Sequence, residues 1–193
     1  MNGKTSNNGT SLSIFIVLLV LVSLACTMFQ GPPEKPAETI PVTTEAAGDL
    51  VEDVEAAAEQ ASATGQVELR LTEAQVTSYL ALKLQEQQDL GISTPQIYLR
   101  DGKVQAYAVI EQELGTFALY FEIVPQIVEG GQPRLVITNV FVGDVAAPDA
   151  LVAQIQQYVD EAYINFTGSA GSKFVAESIT IADGIMTIKG KVK

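Results

Sequence analysis

Apolar residues recur along this chain with two periods, and the points where the period changes mark out its elements. Val67, Leu69 and Leu71 alternate with Glu68 and Arg70, which predicts a half-buried strand. Thr72 with Gln75 three residues on has the form of a capping box, opening a helix whose stripe is Val76, Leu80 and Leu84, flanked by Tyr79 and Ala81. Gly91 and Pro95 then break the chain before a strand at Ile97 to Arg100. Asp101-Gly102 is the two-residue turn whose twist matches a hairpin, so Lys103 to Gln112 is expected to return antiparallel. A second hairpin follows, with Phe117, Leu119, Phe121 and Ile123 on one face of its first strand and Gly130-Gly131 in the turn before Arg134 to Val142. Its strands are apolar on both faces, which implies that both are covered or that one meets something apolar other than water.

The stretch from Pro148 to Phe166 has the longer period. At about 100° per residue, Leu151, Val152, Ile155, Tyr158, Val159, Ala162, Tyr163 and Phe166 fall within an arc of roughly 140°, leaving Gln154, Gln156, Gln157, Asp160, Glu161 and Asn165 outside it. Pro148 suits the first turn of this helix, Asp149 the positive end of its dipole and Gly168 its end. A last hairpin turns at Asp183-Gly184. The order helix, strand, Asp-Gly, strand thus occurs twice, LRDGKVQ answering IADGIMT. The expected fold class is α+β: a long antiparallel sheet with two amphipathic helices packed on one face and a pseudo-repeated helix-hairpin unit, spanning residues 66–193.

Two segments precede this domain. The uncharged run from Ser11 to Phe29 reads as an export signal or membrane anchor occupying residues 1–29. Ser23-Leu24-Ala25-Cys26 resembles a bacterial lipoprotein signal with Cys26 as the lipid attachment site, although Ser23 stands where an aliphatic residue is usual; an uncleaved anchor helix and simple cleavage are the alternatives. Each puts the rest of the chain on the extracytoplasmic face of the bacterial cytoplasmic membrane. Residues 30–65 carry Pro32, Pro33, Pro36 and Pro41, then Glu45, Asp49, Glu52, Asp53, Glu55 and Glu59, which reads as an extended, self-repelling tether. Within it Asp49 to Ala63 has the pattern of a short helix with Leu50, Val51, Val54 and Ala58 on one side, stopped by Gly65. It lacks the spacing of a calcium loop.

Composition narrows the chemistry. The chain has no His, and Cys26 is its only cysteine, so an imidazole base, a Ser-His-Asp triad, an ordinary zinc site and an internal disulfide are all excluded. A net charge of −12 argues against a nucleic-acid partner. Asp101 and Asp183 are read as turn residues rather than a catalytic pair, and Glu111, Glu113 and Glu122 as a solvated strand edge. Tyr79, Tyr107, Tyr120, Tyr158 and Tyr163 are read as core, or as the mouth of a cavity. Lys189, Lys191 and Lys193 share one strand face, as charges protecting an edge or meeting anionic headgroups. No nucleophile comes with a recognisable base, so no enzymatic activity, cofactor or metal is expected.

The export signal, the acidic Pro-rich segment, the capped LTEAQVTSYLALKL helix and the closing SITIADGIMTIKG hairpin together resemble the LmeA-like phospholipid-binding envelope proteins and their tubular lipid-binding relatives. That resemblance covers Val67 to Lys189, through element order and hydrophobic pattern. It implies a curved sheet gripping helices around an apolar cavity for a phospholipid or fatty acid. Leu151, Ile155, Tyr158, Val159 and Phe166 from the helix, with Phe117, Leu119 and Phe121 from the sheet, are then the expected ligand-binding wall. The alternative is a structural or protein-interaction envelope domain whose apolar sheet surface meets a partner or a second copy.

Overall fold

A computed structural model describes residues 31–87, 91–113, 115–171 and 174–192, apart from the side chains of 112, 158, 162 and 164–171. The chain divides into two units, Met1–Gly31 and Pro32–Lys193. The run from Ser11 to Phe29, Cys26 included, lies outside the described residues, as do the side chains of Tyr158 and Phe166.

The second unit is α+β. Its elements are α1 (Thr44–Thr64), β1 (Gln66–Thr72), α2 (Glu73–Glu86), β2 (Ile92–Arg100), β3 (Lys103–Gln112), β4 (Gly115–Val128), β5 (Gln132–Val142), β6 (Val145–Ala146), α3 (Asp149–Gly171), β7 (Phe174–Ala182) and β8 (Ile185–Val192). The strands form two antiparallel sheets, β1-β8-β7 and β2-β3-β4-β5-β6, where the hydrophobic pattern had suggested one. The division has a visible cause: the free edge of β7 meets turns of the larger sheet instead of another strand. Gly102 N donates to Ile181 O and Gly184 N to Leu99 O, both at 3.1 Å, so the two Asp-Gly turns bind each other's strands reciprocally. Both aspartates have the left-handed backbone that the turn requires, φ 54° at Asp101 and 53° at Asp183. Near the other end of β7, Ala176 N donates to Gly131 O at 2.7 Å, and the Gln132 amide donates to Phe174 O at 2.9 Å.

The strand β8 lies between β1 and β7, so Lys189 and Lys191 guard no edge, and Lys193 lies outside the described residues. Lys189 pairs with Glu68 at 3.4 Å and Lys191 with Glu177 at 3.1 Å, across the two neighbouring strands. In β2 the strand begins earlier than Pro95 suggested. A bulge between Ser93 and Gln96, with Thr94 at φ 48°, absorbs the proline on an outer strand where its missing N–H costs little.

The capping box forms as expected: Thr72 Oγ1 accepts from Gln75 N, and Gln75 Oε1 accepts from Thr72 N. The helix it starts does not bury the stripe its sequence suggests. Gln75, Thr77, Ser78 and Ala81 are buried, while Val76, Leu80 and Leu84 are half-buried. Polar residues point inward because α2 meets the outer edge of β2, where main-chain groups lack a neighbouring strand. Thr77 Oγ1 accepts from Ile97 N at 3.0 Å and donates to Ile97 O at 3.5 Å, and Glu73 Oε1 accepts from Leu99 N at 2.7 Å. Val76 and Leu80 pack from the side onto Ile97, Leu99 and Ile181.

The edge of β5 is handled the same way by α3. Gln156 Oε1 accepts from Ile137 N at 2.9 Å while its Nε2 donates to Leu135 O at 2.8 Å, completing the pair of bonds a strand would make. Arg134 and Asp160 approach to 3.7 Å one turn further along. Pro148 stands just before this helix, its carbonyl accepting from Leu151 N and Val152 N, and the helix continues past Gly168 to Gly171. The two helices therefore serve the outer strand β2 and the part of β5 that the two-residue β6 leaves uncovered, rather than sharing one face of one sheet.

The segment read as a tether belongs to the compact unit from Pro32 onward. Thr43 caps α1 by accepting from Ala46 N, and Gly65 ends it at φ 74°. The helix buries Ala47, Leu50, Ala57 and Ala61, and Gln75 Nε2 reaches Asp53 at 2.6 Å. Alanine at these positions lets the helix sit close, and its acidic residues are exposed, with Asp53 turned toward Gln75. Ahead of it, Ile40 is buried in the core. Charge density suggested a solvated spacer, but a few well-spaced apolar residues outweigh exposed like charges, whose repulsion salt screens.

Thr77 gives a direct check of edge closure. Thr77→Val keeps the shape but leaves the Ile97 N–H and C=O buried and unpaired, so denaturant unfolding should show a loss of about 2 kcal/mol, with Thr77→Ser restoring most of it. An unchanged midpoint in Thr77→Val would mean the hydroxyl is dispensable.

Candidate functional site

The register of the five-stranded sheet gives its two faces different chemistry. On one face Gln96 pairs with Tyr107, Tyr107 with Tyr120 and Tyr120 with Phe141. The rings form a ladder: Tyr98 to Tyr107 edge-on at 5.7 Å, Tyr107 to Tyr120 at 4.9 Å, Tyr120 to Phe141 at 6.1 Å. The Arg100 guanidinium lies 5.1 Å over the Tyr98 ring.

The N-terminal strap, residues 32–42, lies on this ladder. Tyr98 Oη donates to Glu38 O at 2.6 Å, and Tyr107 Oη donates to Pro33 O and Glu34 O at 3.4 and 3.5 Å. Gln96 binds Ile40 on both sides of its main chain, accepting from N at 2.7 Å and donating to O at 3.0 Å. The Ile40 side chain packs with Tyr98, Tyr107 and Tyr120. Burial pushes the phenol pKa of Tyr98 and Tyr107 upward, so both hydroxyls stay protonated and able to donate at neutral pH.

Beside the ladder is a buried carboxylate that the sequence had placed on a solvated edge. Glu122 is 8% exposed. Its Oε1 accepts from Thr138 Oγ1 at 2.7 Å, Asn139 Nδ2 at 3.0 Å and Lys103 Nζ at 3.1 Å, and its Oε2 accepts from Tyr120 Oη at 3.3 Å. Desolvation works to raise its pKa, but the hydrogen bonds from Thr138, Lys103 and Asn139 outweigh it and hold the carboxyl below its ordinary value. Burial, helped by the Glu122 charge, pushes the Tyr120 phenol strongly upward. The partners come from three strands. The local signal was only that Glu122 keeps phase with Tyr120, opposite the Phe row; the bulge that brings Thr138 in lies between Glu122 and Ile123.

The opposite face of β3, β4 and β5 is apolar from the Val104 rung to the Ile110 rung. Ile110 pairs with Phe117, Ala108 with Leu119, Ala106 with Phe121 and Val104 with Ile123; Val142, Val140 and Ile137 continue the last three on β5. Of the expected wall residues, Phe117, Leu119 and Phe121 therefore share one surface, from 37% exposed at Phe117 to 5% at Leu119. On α3, Leu151 is exposed and Ile155 and Val159 are half-buried; the same is true of Val152 and Tyr163. None of the described apolar side chains of this helix is buried, and its fixed point on the sheet is the polar clamp of Gln156, next to Ile155. Phe117, Val145 at 70% exposure and Leu151 are exposed. A separate shallow cleft of about 380 Å³ between α1 and β1 is lined by Asp53, Ala56, Ala57, Gln60, Glu68 and Arg70. Its charged lining suits water better than an acyl chain.

Comparison with protein-family models, with curated proteins and with solved structures gives no match. Among the described residues no group of His, Cys, Asp or Glu is placed to hold a metal ion, every buried side-chain polar atom has a partner, and no helix is long and apolar enough to cross a membrane. What the geometry offers is one face that grips an extended chain and another that is apolar from the Val104 rung to the Ile110 rung, packed against Ile97, Leu99 and Ile181 at one side and exposed at Phe117.

The sign of the Glu122 contribution can be tested. Because its pKa is lowered on folding, the stabilisation is complete above the ordinary carboxylate pKa and is lost as pH falls through the depressed one. Urea titrations of wild type and Glu122→Gln should differ by on the order of 1–2 kcal/mol at pH 7 and converge in strong acid. A gap that stays constant with pH would show that the carboxylate charge is not what stabilises.

Proposed function

We propose that this is a non-catalytic domain tethered at the extracytoplasmic face of a bacterial cytoplasmic membrane, binding a phospholipid or fatty-acid chain at the apolar face of β3 to β5 beside α3. One observation carries the reading: the rungs of that face from Val104 to Ile110 are apolar and Phe117 at their end is exposed, while the described apolar residues of the flanking helix are no more than half-buried. Hydrocarbon that the protein leaves incompletely packed is where an acyl chain gains most from leaving water, about 0.8 kcal/mol per methylene. The wall would be Phe117, Leu119 and Phe121 with Leu151, Ile155 and Val159. The five strands then act as a curved wall and the two helix-hairpin units as pseudo-repeats, a reading supported by the reciprocal bonds between their Asp-Gly turns. The membrane is reached through the apolar run ending at Phe29, by a lipid on Cys26 or by the run itself.

A second reading draws on the exposure of Phe117, Val145 and Leu151: the same hydrocarbon covers a partner protein or a second copy. Photo-crosslinking the full chain with a diazirine fatty acid, then mapping labelled peptides, separates the two. Label is expected on β4 and α3 and should fall at least fivefold in Ile155→Asp/Val159→Asp. Label confined to residues 11–29 would reject the ligand reading, and crosslinks joining two copies through β4 would favour the second.

A further inference from the structure

We propose that Gln96, Tyr98 and Tyr107 form a binding groove for an extended, proline-containing peptide, which the strap of residues 32–42 occupies in cis and the same strap of a second copy can occupy in trans. The hydrogen bonds that hold the strap go to its main chain, to the carbonyls of Pro33, Glu34, Glu38 and Ile40 and to the Ile40 amide. Recognition of this kind reads backbone shape, with one side chain, Ile40, as the apolar anchor. It is the chemistry by which aromatic surfaces take proline-rich chains: the ring gives a flat wall, the phenol donates to a carbonyl, and the prolines have little conformational freedom to lose. Pro32, Pro33, Pro36 and Pro41 supply that stiffness, and the side chains of Glu34, Lys35, Glu38 and Thr39 stay exposed.

The strap is also built to come away as a unit. It is joined to α1 through exposed Pro41 and Val42, and Thr43 N donates to Ser78 Oγ at 3.1 Å, so the body retains its first fixed point when residues before it leave. An identical strap from a neighbour makes identical contacts, which is why exchange of such an element costs little. Neighbours held on one membrane raise the effective concentration for that exchange.

The test uses the full chain and a fluorescent peptide of residues 31–42 as probe. In Ile40→Asp, whose own strap has lost its anchor, the peptide is expected to bind with anisotropy saturating at micromolar concentrations, while wild type binds at least tenfold more weakly because its groove is filled. Adding Tyr98→Phe should weaken the peptide roughly fivefold to tenfold by removing the bond to Glu38 O. Mixing two differently tagged wild-type populations should yield mixed pairs on pull-down, and excess peptide should abolish them. A folded Ile40→Asp that ignores millimolar peptide overturns the groove, and peptide binding without mixed pairs overturns the exchange. If Ile40→Asp does not fold, hydrogen exchange at the wild-type Ile40 amide decides. Exchange through local opening supports a releasable strap, whereas exchange only with global unfolding overturns it.

Discussion

A sheet with outer strands carries unpaired main-chain donors and acceptors, and in this domain the answer to that constraint determines where the helices go. The outer groups of β2 are taken by Thr77, Glu73 and Gly184, those of β5 by Gln156, and those of β7 by the turns at Gly102 and Gly131. Each is a single polar side chain or turn doing what a neighbouring strand would do. The consequence is that α2 buries Thr77 and Ser78 in place of a continuous leucine stripe, and that among the described residues α3 is tied to β5 by an amide, its apolar side chains no more than half-buried. Closing the edges in this way prevents sheet extension, and it also leaves the hydrocarbon of β4 and α3 incompletely used.

The same sheet divides its labour between faces. One is a row of aromatic rings with polar ends, covered by the strap and locked beside Glu122; the other is apolar from the Val104 rung to the Ile110 rung. Because the tyrosine hydroxyls and the Gln96 amide bind main chain, the covering segment can be rich in proline and charge and still be ordered. The compact unit consequently begins at Pro32, and what looks like a long spacer is mostly part of the body.

Much of this was legible in the sequence. The turns at Asp101-Gly102, Gly130-Gly131 and Asp183-Gly184 were, because such pairs impose a backbone that few others accept, and so was the Thr72 capping box, which is a contact between residues three apart; the connection from β3 to β4 and the short return to β6 carry no such pair and were not read. The strand phase of Phe117, Leu119 and Phe121 followed from alternation alone. What sequence did not show depends on partners far away along the chain. Glu122 reads as exposed until Lys103, Thr138 and Asn139 are brought around it, and Thr77 reads as a helix surface residue until β2 is set beside it. Ile40 stands as one apolar residue among prolines and acids, and its 56-residue separation from Gln96 leaves no local trace. The apolar arc of α3 was visible, but its closest fixed contact proved to be Gln156, on the polar side of that arc.

Residue-resolved hydrogen exchange of the full chain tests edge closure by side chains most directly. The amides of Ile97, Leu99 and Ile137 have no strand neighbour to accept from them, so an open edge would leave them exchanging nearly as fast as exposed loop amides. Closure by Thr77, Glu73 and Gln156 predicts protection close to that of the central β3 and β4 amides. Fast exchange at all three would contradict the account.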